Sequence, residues 1–387
     1  MNRQNLWLAG GLLVLVGVGA TMLQLTMWAA ALAASLSVAG VLLFRDNRWR
    51  SGALLVAALS VGLVLLEAFA GWLAPSPISQ GLVKTVVPER LLVPDPVLGY
   101  RLSPGTKFLI TATFGSQTIY SVSCTVDAKG ARVTPQAPAN ADTYLFMGDS
   151  FVFGEGLGDA QSVAAQFAQA NDFRVRTLNL GVPGYGPNHL VRAFEAGLLD
   201  RFTSQSVKAV VTWIIPAQLA RVTGDGPWLG SSPRYVLDNG VPRHTGSFNA
   251  YRWSHPVAGL SHLAREQFNF VKAIGARERE EEQAQLFVAL IARLQDLARQ
   301  RLGARLIAIY SWPDEASPPG YTTSEVDQPK LVAILDRLRH RGIPLLSVNS
   351  LITRLDLSQI LIPHDGHPTA LTNQLVAEEL KRRLMAP

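Results

Sequence analysis

The chain is expected to be an α/β protein whose main domain is a parallel sheet covered by helices on both faces. Three observations predict this. Short apolar runs alternate with amphipathic stretches from Thr143 onward, glycine- and proline-rich turns follow the runs, and a strongly apolar N-terminal region stands apart from everything after Pro75. Strands are expected at Tyr144–Met147, Val175–Leu180, Ala209–Ile215, Arg305–Tyr310 and Ile343–Leu346, because short apolar, β-branched runs bounded by turn residues read as buried strands. Helices are expected near Ala160–Ala170, His189–Leu199, Arg279–Arg301, Gln328–His340 and Ala370–Leu384. Strand–helix alternation of this kind builds a parallel sheet whose ligand site lies at the strands' C-terminal ends. No internal repeat or low-complexity tract interrupts the pattern.

The N-terminal region, residues 1–80, reads as a membrane domain. Leu6 to Phe44 carries no formal charge, and as one helix it would run ~58 Å against a hydrocarbon core of ~30 Å. Two helices are therefore expected, Leu6–Leu23 and Met27–Phe44, with a third over Gly52–Leu73 ended by Pro75 and Pro77. A cleavable signal would have a shorter apolar core. Arg3 precedes the first span, and Arg45, Arg48 and Arg50 lie between the second and third. Basic loops stay in the cytoplasm, so the third span would deliver the rest of the chain to the periplasm or the cell exterior. Glu67, inside the third span near its outer end, is expected to reach the interface.

Residues 81–142 form a linker and β-rich extension. Phe108–Phe114 and Thr118–Cys124 read as strands between turns at Pro104-Gly105, Gly115-Ser116 and Lys129-Gly130. The sheet domain proper covers residues 143–387, with an insertion at 222–275 rich in glycine, proline and aromatics. There Asp238-Asn239-Gly240 marks a hairpin, and a loop this long commonly serves as a lid or binding element.

Charge and cysteine content exclude several function classes. Lys and Arg exceed Asp and Glu by six over the chain, and no aromatic-interleaved basic stripe supports nucleic acid. Cys124 is the single cysteine, so an intrachain disulfide and C-x-x-C chemistry are both ruled out. The histidines show no ligand-like spacing, and no metal or other cofactor is expected. No phosphate-cradling glycine motif follows the first strand, which argues against a nucleotide site.

The chemistry-bearing residues fall at strand ends. The first strand ends at Gly148-Asp149-Ser150, and the second runs into Asn179-Leu180-Gly181-Val182-Pro183-Gly184, a turn whose amides suit an anionic oxygen. The third leads into Pro216-Ala217-Gln218 and Arg221, and a late loop supplies His364-Asp365-Gly366-His367. A nucleophilic serine needs a base within hydrogen-bond reach, and the base needs a third group to fix its tautomer. Ser150, His367 and Asp365 are the candidates for those roles. Asp149 is expected to brace the turn beneath Ser150, and Asp149, Asn179, Arg221 and His364 are further candidates for substrate contact.

This set, in this order, resembles the SGNH (GDSL) hydrolase superfamily from about Asp95 to the C-terminus. The resemblance implies a flavodoxin-like three-layer α/β/α sandwich. Its nucleophile block corresponds to Gly148-Asp149-Ser150, its second-block glycine to Gly181 or Gly184, and its base to His367. The usual third-block Asn is replaced by Pro216-Ala217-Gln218, where Gln218 is the nearest chemical substitute. The implied oxyanion hole is then the Ser150 N–H, a Gly181 or Gly184 N–H, and Gln218. The family's usual acid position holds His364, while Asp365 gives the D-x-H variant that resembles periplasmic polysaccharide O-acetylation proteins.

The expected function is a membrane-anchored serine esterase or O-acyltransferase acting on cell-envelope polysaccharide. Its partners would be that glycan or another acyl ester, the lipid bilayer and, by the resemblance, a membrane acyltransferase. Water or a sugar hydroxyl would resolve the acyl-serine, so hydrolysis and transfer both stay open. A lipid esterase or lysophospholipase, and a non-catalytic protein keeping the fold, are the alternatives.

Overall fold

The computed structural model describes residues 36–37, 46–73, 81–202, 206–312 and 328–385. The chain divides into two compact units, Met1–Pro75 with Arg252–Glu278, and Ser76–Tyr251 with Arg279–Pro387.

The larger unit opens with strands β1 (Leu82–Val87), β2 (Leu92–Asp95), β3 (Gly99–Leu102), β4 (Thr106–Phe114) and β5 (Gln117–Val126). β1, β4 and β5 form an antiparallel sheet, and β2 pairs with β3. The main strands follow: β6 (Thr143–Gly148), β7 (Arg176–Gly181) and β8 (Val207–Ile214), then β11 (Arg305–Tyr310) and β12 (Leu345–Ser347). A hairpin of β9 (Pro233–Asp238) and β10 (Val241–Ser247) intervenes. The five main strands are all parallel, in the order β12-β11-β8-β6-β7. That order is the flavodoxin-like one, in which ligands sit where the first strand meets the third, here β6 and β8.

Every residue of β6 is buried, as a strand covered on both faces requires. Alternate side chains then serve two cores. Tyr144 and Phe146 pack with Val163, Phe167, Val376 and Leu380, from helices Val163–Ala170 and Ala370–Leu384. Leu145 and Met147 belong to the opposite core, with Leu190, Phe194, Leu290, Leu294 and Leu335, from helices Pro187–Glu195, Ala276–Leu302 and Gln328–His340. The same core takes in Phe108, Ile110, Tyr120 and Val126 of the β-rich extension. Arg132 ties the two parts together, since its backbone bridges β5 at Val126 and β7 at Asn179. Three layers result.

The smaller unit contains one helix that is long and apolar enough to cross a membrane among the described residues. It spans Asn47–Leu73, with its apolar window at Asn47–Glu67 and a mean hydropathy of 1.8 there. It covers the third expected span. The first two, Leu6–Leu23 and Met27–Phe44, lie outside the described residues apart from Leu36 and Ser37. Helices Pro256–Gln267 and Asn269–Ala273 complete this unit.

The insertion at 222–275 divides between the two units. Its first half is the β9–β10 hairpin, turned by Asn239 (φ 50°) and Gly240 (φ 79°). Positive φ at both central residues is the type I′ geometry that the Asn-Gly pair predicts. Tyr235 and Phe248 are buried there, whereas Trp228 and Trp253 are exposed.

Candidate active site

Ser150 begins the short helix Ser150–Phe153 directly after β6. Asp149 caps that helix by accepting the Phe151 N–H at 3.0 Å. Two glycines let the helix settle onto the strand ends. A Cβ on Gly148 would lie 2.6 Å from Val152 Cγ2, and one on Gly181 would lie 2.2 Å from the Phe153 nitrogen. No side chain fits at either place, which fixes the serine's height over the sheet.

His367 arrives on a tight turn between Leu361 and Pro368, which bridge each other antiparallel. Asp365 and Gly366 both donate their N–H to the Ile362 carbonyl, and the Ile362 N–H donates to that of His367. His367 Nε2 lies 2.8 Å from Ser150 Oγ, and Nδ1 lies 3.0 Å from Asp365 Oδ1. With the proton on Nδ1, the ring donates to Asp365 and accepts from the serine hydroxyl, which is the tautomer that proton abstraction requires. The three expected residues are brought together.

Two further residues complete the charge pattern, and sequence reasoning missed both. Lys84, on β1, donates to Asp365 Oδ1 at 2.9 Å and also pairs with Glu155. Glu155 Oε2 in turn lies 3.6 Å from His367 Nε2. Burial alone would raise the Asp365 carboxyl, but the bond and charge of His367, then the Lys84 ammonium, hold it well below the usual range. Burial alone would lower His367. The Glu155 charge and the bond to Asp365 outweigh it and push the imidazole above its ordinary 6.5. Tyr120, in β5, has its phenol pushed up by burial and then by the Asp365 and Glu155 charges.

Donor atoms of Glu155, Asp365 and His367 lie within 4.8 Å of one another, a spacing a metal ion could bridge. Here the Lys84 ammonium already pairs with both carboxylates, offsetting part of their charge, and the two ring nitrogens face Ser150 and Asp365. The arrangement suits acyl chemistry better than metal binding.

Several expected roles are corrected. Gln218 is not an oxyanion donor, because its Nε2 donates to Asp149 Oδ2 at 2.9 Å and to the Trp213 carbonyl at 3.0 Å, using both hydrogens. The Gly181 N–H is also committed, donating to Asn179 Oδ1 at 3.0 Å. Asp149 and Asn179 are fully buried and cannot touch a substrate. Asn179 holds the Val152 carbonyl at 2.9 Å, orienting the serine helix from below. Arg221 pairs with Asp149 at 2.7 Å and donates to the Tyr185 carbonyl at 2.9 Å, so its charge braces the turn. The Ser150 and Gly184 N–H groups donate to no protein group among the described residues. His364 is exposed, with its ring stacked on Phe114 at 3.9 Å. His189 is buried against Tyr185, and burial, then the Arg221 charge, push its pKa down to about 3. It is a neutral core residue.

No family model and no curated protein matches the chain. Solved structures similar to it are G-D-S-L hydrolases and acetylesterases. A lipolytic protein of the G-D-S-L family from Veillonella parvula DSM 2008 is 12% identical, with 64% of this chain and 100% of that one covered and a TM-score of 0.37. A carbohydrate acetylesterase family member from Sinorhizobium meliloti is 13% identical, with 63% and 99% covered and a TM-score of 0.36. An acetyl-xylooligosaccharide esterase from Geobacillus stearmophilus is 12% identical, with 66% and 98% covered and a TM-score of 0.35.

Proposed function

We propose that this chain is a membrane-anchored serine esterase or O-acyltransferase that handles acetyl esters of cell-envelope polysaccharide. The observation that carries the reading is the unbroken relay from Ser150 Oγ through His367 to Asp365, at 2.8 Å and 3.0 Å. Ser150 attacks the ester carbonyl while His367 Nε2 takes its proton, and the oxyanion settles against the Ser150 N–H with the Gly184 N–H as second donor. The tetrahedral intermediate collapses when His367 returns the proton to the leaving alkoxide, leaving an acyl-serine. Water or a sugar hydroxyl, deprotonated by the same imidazole, then releases the acyl group. Asp365 stays ionised throughout and stabilises the imidazolium. The half-buried Phe114, stacked on the exposed His364 of the turn that carries the base, is the surface offered to a sugar ring.

Polysaccharide is favoured over lipid by the D-x-H turn, and anchoring by helix Asn47–Leu73 with the polarity of its basic flank. Purified protein in detergent is expected to cleave p-nitrophenyl acetate faster than long-chain esters and to release acetate from acetylated glycan. Preference for long chains would transfer the assignment to a lipid esterase.

The charges around His367 set the pH dependence. The base works only when neutral, so kcat/KM is expected to fall as pH drops through a limb above 6.5. Glu155→Gln removes the largest group raising the imidazole, and the limb moves to lower pH. Lys84→Met removes an opposing positive charge, and the limb moves to higher pH. A limb unmoved by either change would show that neither group reaches the base electrostatically.

A further inference from the structure

We propose that the segment from Trp253 to Ile274 lies flat on the bilayer, its apolar side in the headgroup–acyl boundary and its partner anionic lipid. The proposal rests on the reading that helix Asn47–Leu73 spans the membrane.

The segment is fastened to that helix. Glu67 is buried, and its Oε1 accepts the N–H of Asn269 at 2.9 Å and the Asn269 side-chain amide at 2.9 Å. Its Oε2 accepts the Phe270 N–H at 3.3 Å. A carboxylate on the first N–H groups of helix Asn269–Ala273 is a favourable cap, and it satisfies a group that is otherwise costly at membrane depth. Glu67 is six residues before the helix end at Leu73, or about 9 Å along the axis. Interfacial helices sit about 5–10 Å into the headgroup–acyl boundary. The bond therefore holds the segment at the matching depth.

The exposed side has the matching chemistry. Trp253 is 86% exposed, Val257 81% and Leu260 67%, with Leu263 and Ile274 also exposed. In helix Pro256–Gln267, Pro256, Val257, Leu260, Leu263 and Ala264 share one stripe by their spacing, opposite the buried His262. A contiguous apolar patch of this kind marks a binding surface rather than ordinary exterior. Arg265 and Lys272 within the segment, with Arg252 and Arg277 flanking it, outnumber Glu266 and the flanking Glu278, which favours anionic headgroups.

Single cysteines placed at Leu59, Val257, Leu260 and Ser261 test this in the full chain, reconstituted in phosphatidylcholine–phosphatidylglycerol vesicles. Cys124 is buried, and burial pushes its thiol up to about 11, so it stays unlabelled. Fluorophores at Val257 and Leu260 are expected to be quenched by a nitroxide near the headgroups, and one at Leu59 by a nitroxide deep in the acyl chains. Ser261, off the apolar stripe, is expected to show much weaker quenching. Leu59 quenched with Val257 and Leu260 untouched would overturn the proposal while the anchor stands, leaving the patch to a protein partner. Leu59 unquenched would remove the anchor, and the proposal with it. Quenching at Val257 that survives replacement of all phosphatidylglycerol by phosphatidylcholine would overturn the preference for anionic lipid.

Discussion

Fluorophosphonate labelling of the detergent-solubilised protein is expected to fall on Ser150 and to vanish in Ser150→Ala. An ordinary surface serine ignores such a probe; one whose hydroxyl sits 2.8 Å from an imidazole nitrogen does not. His367→Ala should lower ester kcat/KM by about 10²–10⁴-fold, the range for a positioned general base. Asp365→Asn should cost less than His367→Ala, because Glu155 and the Ser150 contact still hold the ring. Labelled serine elsewhere, or full activity in His367→Ala, would remove the nucleophilic reading. Folded protein that neither labels nor turns over ester would favour a binding role for the same fold.

Arg132→Met is expected to give the largest loss of stability. The Arg132 side chain is fully buried. Its Nη1 donates to the Phe153 and Gly154 carbonyls at 2.6 Å and 2.7 Å, its Nη2 donates to that of Leu157, and Asp159 lies 3.5 Å from its Nε. Removing the guanidinium takes a charged donor from three carbonyls, of which Gly154 keeps the Leu157 N–H and Phe153 the Asn179 amide. With hydrogen bonds to a charged group worth about 1.5–3 kcal/mol each, a loss of at least about 3 kcal/mol is expected in thermal or urea unfolding. Activity should fall as well, since the turn held by Arg132 carries Glu155. A variant as stable as the parent would mean that water replaces the guanidinium at those carbonyls.

Much of the fold was legible because its helices are strongly periodic and its central strands are apolar throughout. Helices Gln328–His340 and Ala370–Leu384 and strand β11 match their expected bounds. Strand β12 starts later than expected because Pro344 has no N–H to donate; its carbonyl still receives the Ala308 N–H, and pairing runs from Leu345. In the second half of the insertion, Pro256 opens a helix that the glycine, proline and aromatic content of the stretch did not place.

Within the site, Ser150, Asp365 and His367 were visible as a motif, since acyl chemistry restricts residue type and order. The donors were not. Whether an amide N–H is free depends on which acceptor tertiary packing brings to it, and Asn179 and Asp149 claimed those of Gly181 and Gln218. Lys84 and Glu155 carry no local signature. They meet across 71 positions of chain, and Lys84 meets Asp365 across 281.

Lys84 also sets where the protein can be cut. A fragment starting at Thr143 would retain the serine, the histidine, the aspartate and all five parallel strands. It would nevertheless leave Asp365 and Glu155 without their shared ammonium. The segment just after the apolar helix is thus part of the reactive centre, and a water-soluble version made for crystallography or inhibitor screening has to begin no later than Leu82.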